Sequence, residues 1–443
     1  MKYQILGLLV AILSLSTIAI KPGTIVGLRE DILNKVRDQY FPLIMLPFQL
    51  IDFDNVQDGS VTLSSVMGSL TNENAGNCKI SFDEGRDNLL LNTTNSKLRI
   101  HTNWAKGDKS GVADFSADID YITLYLSFST IKNSDDDLIP QIGIEEVNLF
   151  FNEDSYTNDF SCFDCSDSFK RDIEDALTGK MVDSIKDQAI TIATGNIANI
   201  VNSQLEVLTP QRVPITSDIT IDVSSTDKIE VKSEYIAIPI DSTIFLNEDG
   251  YNRPVDVPDI SIVDPENPGE MLLFTSNYVY KCIEVIMNKH TIDLNFTVYG
   301  QDVLVKVDPN KVPFELSSQE KHMLLHAGGI ISISDWNIDL EFGVNTQLDL
   351  NLRRGNAYHM VLATPKLVGA TFSTVKLSIW GFDFDLSSHL IPFLDQLVAS
   401  LLNLVFFPQL AVPKLESLPL KANEAFLEFH SNYTELGVSF TYG

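Results

Sequence analysis

Ser166 to Leu205 reads SDSFKRDIEDALTGKMVDSIKDQAITIATGNIANIVNSQL and contains no proline. Its apolar residues recur at Ile173, Leu177, Met181, Ile185, Ala189, Ile192, Ala193, Ile197, Ile200, Val201 and Leu205. That spacing marks one face of a helix, with Asp172, Lys180, Asp183, Lys186 and Asp187 on the remainder. Roughly 38 residues at 1.5 Å each give about 57 Å. Gly179 and Gly195 are expected to kink or interrupt it. A coiled coil is the alternative for so long an amphipathic helix, but the heptad is irregular and the flanking segments alternate like strands.

A second regular stretch has a matching length. From Trp336, Ile338, Leu340, Phe342, Val344, Leu348, Leu350 and Leu352 fall on every second position, with Asp339, Glu341, Asn345, Asp349 and Asn351 between. This is a half-buried strand, and about 17 residues at ~3.3 Å span about 56 Å. Ile122, Leu124, Leu126 and Phe128 repeat the alternation, while Phe115, Ile119 and Tyr121 upstream sit on the opposite parity. Such a flip predicts a β-bulge, which bends a strand and tightens its twist. The same flip separates Val375-Leu377-Ile379 from Trp380-Phe382-Phe384-Leu386. Long, bulged sheets with one apolar face would wrap around long helices as an elongated roll.

The order of elements is similar in the two halves. A helix from Val26 to Phe41 precedes strands and then the long helix; a helix from Leu272 to Asn288 precedes strands and then an apolar helix from Ser388 to Val405. Between them, residues 209–268 are rich in proline, yet Ile219–Val223 and Tyr235–Ile238 still alternate like strands. The predicted fold is therefore α+β. It has two similar elongated domains, 20–208 and 269–443, each a highly twisted antiparallel sheet around long helices, joined at 209–268 by a linker and central sheet.

The first 19 residues read as a secretory signal: Lys2, an apolar run from Ile5 to Leu15, and small residues at Thr17-Ile18-Ala19. The run is short for a membrane anchor. Sequons at Asn92, Asn295 and Asn432 fit a secreted glycoprotein. The 443 residues carry 31 Lys+Arg against 60 Asp+Glu, a formal net charge of −29, which argues against nucleic acid as a partner. Residues 20–222 hold 16 basic and 32 acidic side chains, so the acidity is spread and serves solubility. The four cysteines are Cys78, Cys162, Cys165 and Cys282. Cys162-Phe163-Asp164-Cys165 has the spacing of a redox pair or half a zinc site. No second CxxC or His pair accompanies it, and the surrounding aspartates would raise its thiol pKa. A structural bridge is the better reading.

The chain resembles the family of bactericidal/permeability-increasing protein, lipopolysaccharide-binding protein and the plasma lipid transfer proteins. Pro22–Leu28 looks like that family's opening segment. Asn95–Ile100 with Trp104, followed by Ala113–Ile119, resembles its paired strands; Ser276-Asn277-Tyr278-Val279 resembles its second-half helix, and Pro408 to Tyr442 its last strands. The motifs are loose and their order carries the specificity, over nearly the whole mature chain. The resemblance implies a boomerang of two domains, each with an apolar pocket for acyl chains. It also implies a disulfide from a strand end to the long helix. Here Ser166–Leu208 holds no cysteine, so that bridge is absent or rewired, to Cys78 or within Cys162–Cys165. The bactericidal members' basic tip is missing too: residues 20–222 are net −16 from those counts, so endotoxin binding does not carry over.

No GxSxG, HExxH or phosphate-cradling glycine loop is present. His322 and His326 stand at helical spacing and could bind zinc, but Ser317 and Glu320 read as a capping box opening a short surface helix. Asp52, Asp54 and Asp58 lack the glycine and glutamate of a calcium loop, and Asp135–Asp137 reads as a hairpin tip. No metal, cofactor or enzymatic activity is expected. The expectation is a secreted protein that binds or transfers phospholipid or another long-chain lipid, with transient membrane contact. Expected lining residues are Ile32, Val36, Ile173, Leu177, Met181 and Ile185 in the first half, and Tyr278, Ile283, Leu390, Leu394, Leu397 and Leu401 in the second. The bland alternative is that these residues fill the core. The rival function is a secreted defence or recognition factor for microbial surface lipids.

Overall fold

The computed structural model describes residues 21–442 apart from 45–47, 73, 133–137, 200, 204–211, 215–216, 258–259, 261–267, 290, 299–300, 334–337, 355–360, 380–381 and 386–419. The expected signal at 1–19, the Asp135–Asp137 tip and the helix from Ser388 lie outside the described residues.

The chain enters through β1 (Thr24–Arg29), which passes directly into α1 (Glu30–Ile44). The helix thus begins four residues later than expected. Thr24, Ile25 and Val26 are β-branched, and the segment is paired on both sides. A first sheet follows from β2 (Ile51–Phe53), β3 (Val56–Asp58), β4 (Val61–Thr71), β5 (Cys78–Asp83), β6 (Asn88–Lys106), β7 (Lys109–Lys132) and β8 (Leu138–Phe160). Its order is β2-β4-β6-β7-β8, with β3 on β4 and β5 on β6. β7 runs for 24 residues against five or six in an ordinary strand.

The long apolar stripe then folds as α2 (Asp167–Asp175) and α3 (Met181–Ala193), with π-helical turns at Ala176–Lys180 and Thr194–Ala198. Ser166 caps α2, its Oγ accepting from Phe169 N at 3.3 Å. Gly179 and Gly195 each fall inside a π turn, so the expected interruptions take the form of widened turns rather than breaks.

The proline-rich stretch contributes β9 (Arg212–Pro214), β10 (Ile219–Asp222), β11 (Glu230–Val231), β12 (Tyr235–Ile240) and β13 (Ile244–Leu246). β14 (Met271–Ser276) leads into α4 (Asn277–Met287), so Leu272–Phe274, expected as helix, are strand. The turn into α4 is set by Ser276, whose Oγ accepts from Tyr278 N at 3.1 Å. A second large sheet comprises β15 (Ile292–Val298), β16 (Gln301–Val307), β17 (Glu315–Gln319), β18 (His322–Ile333), β19 (Ile338–Arg354), β20 (Val361–Ile379) and β21 (Phe382–Asp385). Its order is β15-β16-β18-β19-β20-β21, with β17 on β18. The chain closes with β22 (Leu420–Phe429) and β23 (Tyr433–Tyr442). A central sheet ordered β11-β12-β1-β14-β23-β22 gathers strands from both ends and the middle, beside a small sheet of β13, β10 and β9.

The topology repeats. β1 and β14 are antiparallel neighbours in the central sheet, and each feeds a helix. Then β4, β6, β7 and β8 pair in the same succession as β16, β18, β19 and β20, with the short strands β5 and β17 in equivalent side positions. Both helices also reach to the edge of that side strand. Asn34 of α1 donates to Ile80 O (3.0 Å) and accepts from Ile80 N (2.9 Å). On α4, Asn277 accepts from Ser318 N (2.7 Å), Glu284 from Leu316 N (2.6 Å) and Asn288 from Phe314 N (2.7 Å). These side chains satisfy backbone groups that a sheet edge would otherwise leave unpaired.

Two readings need correction. Val375–Ile379 and Phe382–Phe384 do not form one bulged strand, because β20 and β21 pair antiparallel with Ile379 opposite Phe382. Ser317–His326 is a hairpin and not a helix: Ser317 pairs with Leu324, and Met323, Leu325 and Ala327 alternate inward. Four strand residues put His322 and His326 about 13 Å apart, beyond reach of a shared ion.

Candidate functional site: an apolar cavity beneath the long helix

The first sheet packs on the helices through two buried clusters rather than one. The first joins α2 and the start of α3 to β4, β6 and β7, and includes Trp104, Phe115, Ile173, Leu177 and Met181. The second gathers Leu124, Leu126, Phe128 and Ala193 with Leu28 and Ile236 of the central sheet. Along β7 the inward residues are Ala113, Phe115, Ala117 and Ile119, and then Leu124, Leu126 and Phe128. The parity changes at the register shift between Ile119 and Tyr121 against β8, as the sequence predicts. Ile122 packs against both clusters.

A cavity opens at that seam. The space free of protein atoms there, open solvent at its mouth included, is about 820 Å³. Its roof is α3 and the following π turn, through Ile185, Ala189, Ile192, Ala193 and Ile197. Its floor and walls come from the sheet: Leu91 and Leu98 of β6, Ile119, Ile122 and Leu124 of β7, Val147 and Leu149 of β8. Phe48, Ile51, Phe53 and Leu70 also line it. Cys78 and Thr93, cross-strand partners on β5 and β6, bring the polar atoms to this lining. Burial pushes the Cys78 thiol pKa up, against its hydrogen bond to Thr93 and the nearby Arg37. A thiol held neutral suits an apolar wall and makes a poor nucleophile. The edge clamp from Asn34 fixes β5 and with it the Cys78 wall.

The expected lining residues divide sharply. Ile185 lines the cavity. Ile173, Leu177 and Met181 have no exposed surface and sit in the first cluster, while Ile32 and Val36 pack in the second. Tyr278 is buried with Val257, Val279 and Cys282. Its hydroxyl lies 2.7 Å from Thr243 Oγ1, and burial raises its pKa. Thr243 in turn donates to the buried Asp241 carboxylate, which Arg253 and Tyr251 also hold. Gly23 must be glycine there, since a Cβ would stand 2.2 Å from Asp241 O. Ile283 is half-buried on α4, and Leu390, Leu394, Leu397 and Leu401 lie outside the described residues. Ala189, Ile192, Ala193 and Ile197 belong to the stripe but were not expected as lining. Their signal is size: two alanines four residues apart leave the helix face shallow where the strand parity flips.

Cys162 and Cys165 are bridged to each other, and Cys78 and Cys282 remain buried thiols. Asn92 and Asn432 are exposed. No described helix is long and apolar enough to cross a membrane.

No family model matches this chain, and no curated protein does. Among solved structures, lipopolysaccharide binding protein matches with a TM-score of 0.52 at 14% identity, covering 96% of this chain and 100% of that one. P47 of Clostridium botulinum E1 covers 94% of this chain and 99% of its own at 10% identity and a TM-score of 0.32. Takeout 1 of Epiphyas postvittana covers 39% and 86% at 10% identity and a TM-score of 0.22. The last two values carry no argument. The first, over nearly the full length of both chains, shows that this protein has the fold of lipopolysaccharide binding protein.

Proposed function

We propose that this protein is a secreted carrier that binds phospholipid or another long-chain lipid by burying an acyl chain beneath α3. The carrying observation is the cavity: an almost wholly apolar space, open at its mouth, where two well-packed clusters meet. A site of that kind has nothing to offer a polar substrate and much to offer hydrocarbon. Each buried CH₂ contributes about 0.8 kcal/mol, so a 16-carbon chain supplies on the order of 10 kcal/mol before the cost of association. The shared fold and the motif resemblance to the lipid transfer proteins support the same reading. The headgroup would stay at the mouth, and the function needs neither cofactor nor bond chemistry. Spread acidity, with the missing basic tip, favours a zwitterionic or neutral headgroup over lipopolysaccharide.

The test is direct. Protein purified from its native source, extracted with organic solvent and analysed by mass spectrometry, should yield close to one long-chain lipid per chain. Delipidated protein should take up fluorescent phospholipid, and Ala189→Phe, which fills the cavity from its roof, should cut that uptake about tenfold while the fold survives. Negligible extracted lipid together with no uptake by the parent protein would overturn the proposal.

A further inference from the structure

The outer face of the first sheet carries an exposed aromatic pair that the lipid-carrying role does not use. Tyr121 of β7 and Phe150 of β8 are direct cross-strand partners, 41% and 52% exposed. Their rings stack with centroids 5.3 Å apart and planes within 4° of parallel. The outward residues paired around them, Thr94, Thr123 and Asn148, are polar. An apolar patch on an otherwise polar face calls for a covering partner.

The neighbouring strand supplies one. β7 lies between β6 and β8, so Phe150 takes one face of Tyr121 and the other face turns towards β6. Thr94 of β6 stands directly opposite Tyr121, but its hydroxyl donates to Asn77 O (3.2 Å) on the far side, away from that ring face. Two residues along β6, on the same face, is Asn92, the exposed acceptor of the Asn92-Thr93-Thr94 sequon. Asn92 pairs with Thr123, whose hydroxyl donates to Asn92 Oδ1 at 3.5 Å and leans the amide towards β7. Asn92 and Tyr121 are therefore diagonal neighbours, about 7–8 Å apart and within reach of an aromatic side chain. A pyranose attached at Asn92 Nδ2 spans that gap and lays its C–H face on Tyr121, with its hydroxyls in water.

We infer that Asn92 carries an N-linked glycan whose first sugar seats on the Tyr121–Phe150 pair and covers the outer face of the sheet. The inference rests on the secreted reading above, because the sugar is added in the secretory pathway. The host transferase makes the bond: Asn92 Nδ2 loses a proton to the enzyme's base and joins the anomeric carbon of an oligosaccharide-diphosphate lipid, whose anomeric C–O bond breaks as the diphosphate leaves.

The experiment expresses the full chain in cells that N-glycosylate and compares secreted parent protein with Asn92→Gln by hydroxyl-radical footprinting, occupancy being read by peptide mass spectrometry. The expected result is an occupied Asn92, with Tyr121 and Phe150 oxidised at least about threefold more slowly than in Asn92→Gln, the factor set by the weaker end of ring stacking. Asn432→Gln, in the sequon of the β22–β23 turn, should leave both rates unchanged. From the other side, Tyr121→Ser should keep its Asn92 glycan but lose it to a glycan-releasing amidase about threefold faster under native conditions. A bare Asn92 on secreted protein, ring oxidation equal to that of Asn92→Gln, or unchanged release from Tyr121→Ser would overturn the inference and leave the lipid carrier standing. Protected rings on protein that neither yields nor takes up lipid would overturn the carrier alone, and a chain that never leaves the cytosol would overturn both.

Discussion

The two ends of the long helical stretch present the same apolar stripe to the same sheet, yet one end is solid and the other hollow. From α2 through the first π turn to the start of α3, Ile173, Leu177 and Met181 are fully covered, because large rings fill the space opposite. Trp104 packs edge-on against Phe160 and Phe169 at 6.4 and 6.2 Å, and Phe115 against Tyr156 at 5.4 Å. At α3 the roof holds Ala189 and Ala193, and the strands beneath change face between Ile119 and Ile122. Side-chain size and one bulge, rather than hydrophobicity, decide where the core is filled. A void in an otherwise close-packed interior lacks partner atoms along its walls and is costly to keep. The void lies where the two clusters meet.

The sharpest way to break this contrast is at the solid end. Leu177→Ala should destabilise the protein by about 4 kcal/mol, measured by denaturant unfolding, while lipid uptake stays within twofold. Loss of uptake in folded Leu177→Ala protein would mean that the cavity extends under α2. Next in size is the clamp. Asn34→Ala removes both bonds to Ile80 and should cost about 2 kcal/mol, with faster amide exchange at Ile80 and weaker lipid uptake because the Cys78 wall loosens. Gly195 tests the hollow end from the helix itself. Nothing lies within 4 Å of a Cβ placed there, so Gly195→Ala should stabilise by about 1 kcal/mol in thermal unfolding. The smallest effect is a rate. Burial raises the Cys78 pKa, so little thiolate forms at pH 8, and alkylation should stay slow there and accelerate only above pH 9. Bound lipid should slow it further, and rapid alkylation at pH 8 would place Cys78 in water.

Much of this arrangement was legible in the sequence where the signal is local. The period of the 166–205 stripe over its described residues, the parity flip in β7 and the strands within 219–238 all depend on neighbouring residues and are present as read, while the two glycines fall in π turns. Helix starts at Val26 and Leu272 were misplaced because short β-branched or apolar runs such as Thr24-Ile25-Val26 and Leu272-Leu273-Phe274 fit either period until partners are known. Ser317 and Glu320 imitate a capping box, and only pairing with Met323 and Leu324 reveals the hairpin. The lining residues were harder still. Whether Leu177 or Ile192 faces space depends on Trp104, Phe115 and Ile122, which reach the helix from strands far away in sequence.

The most direct measurement is photochemical. A phospholipid carrying a photoreactive group at the end of one acyl chain should be bound, irradiated and mapped by peptide mass spectrometry. A chain tip buried in the cavity should label residues 185–197 together with the β6–β8 residues around Leu91, Ile122 and Val147, and Ala189→Phe should abolish those adducts. Adducts confined to the outer face of the sheet, or none beyond those on denatured protein, would contradict the account.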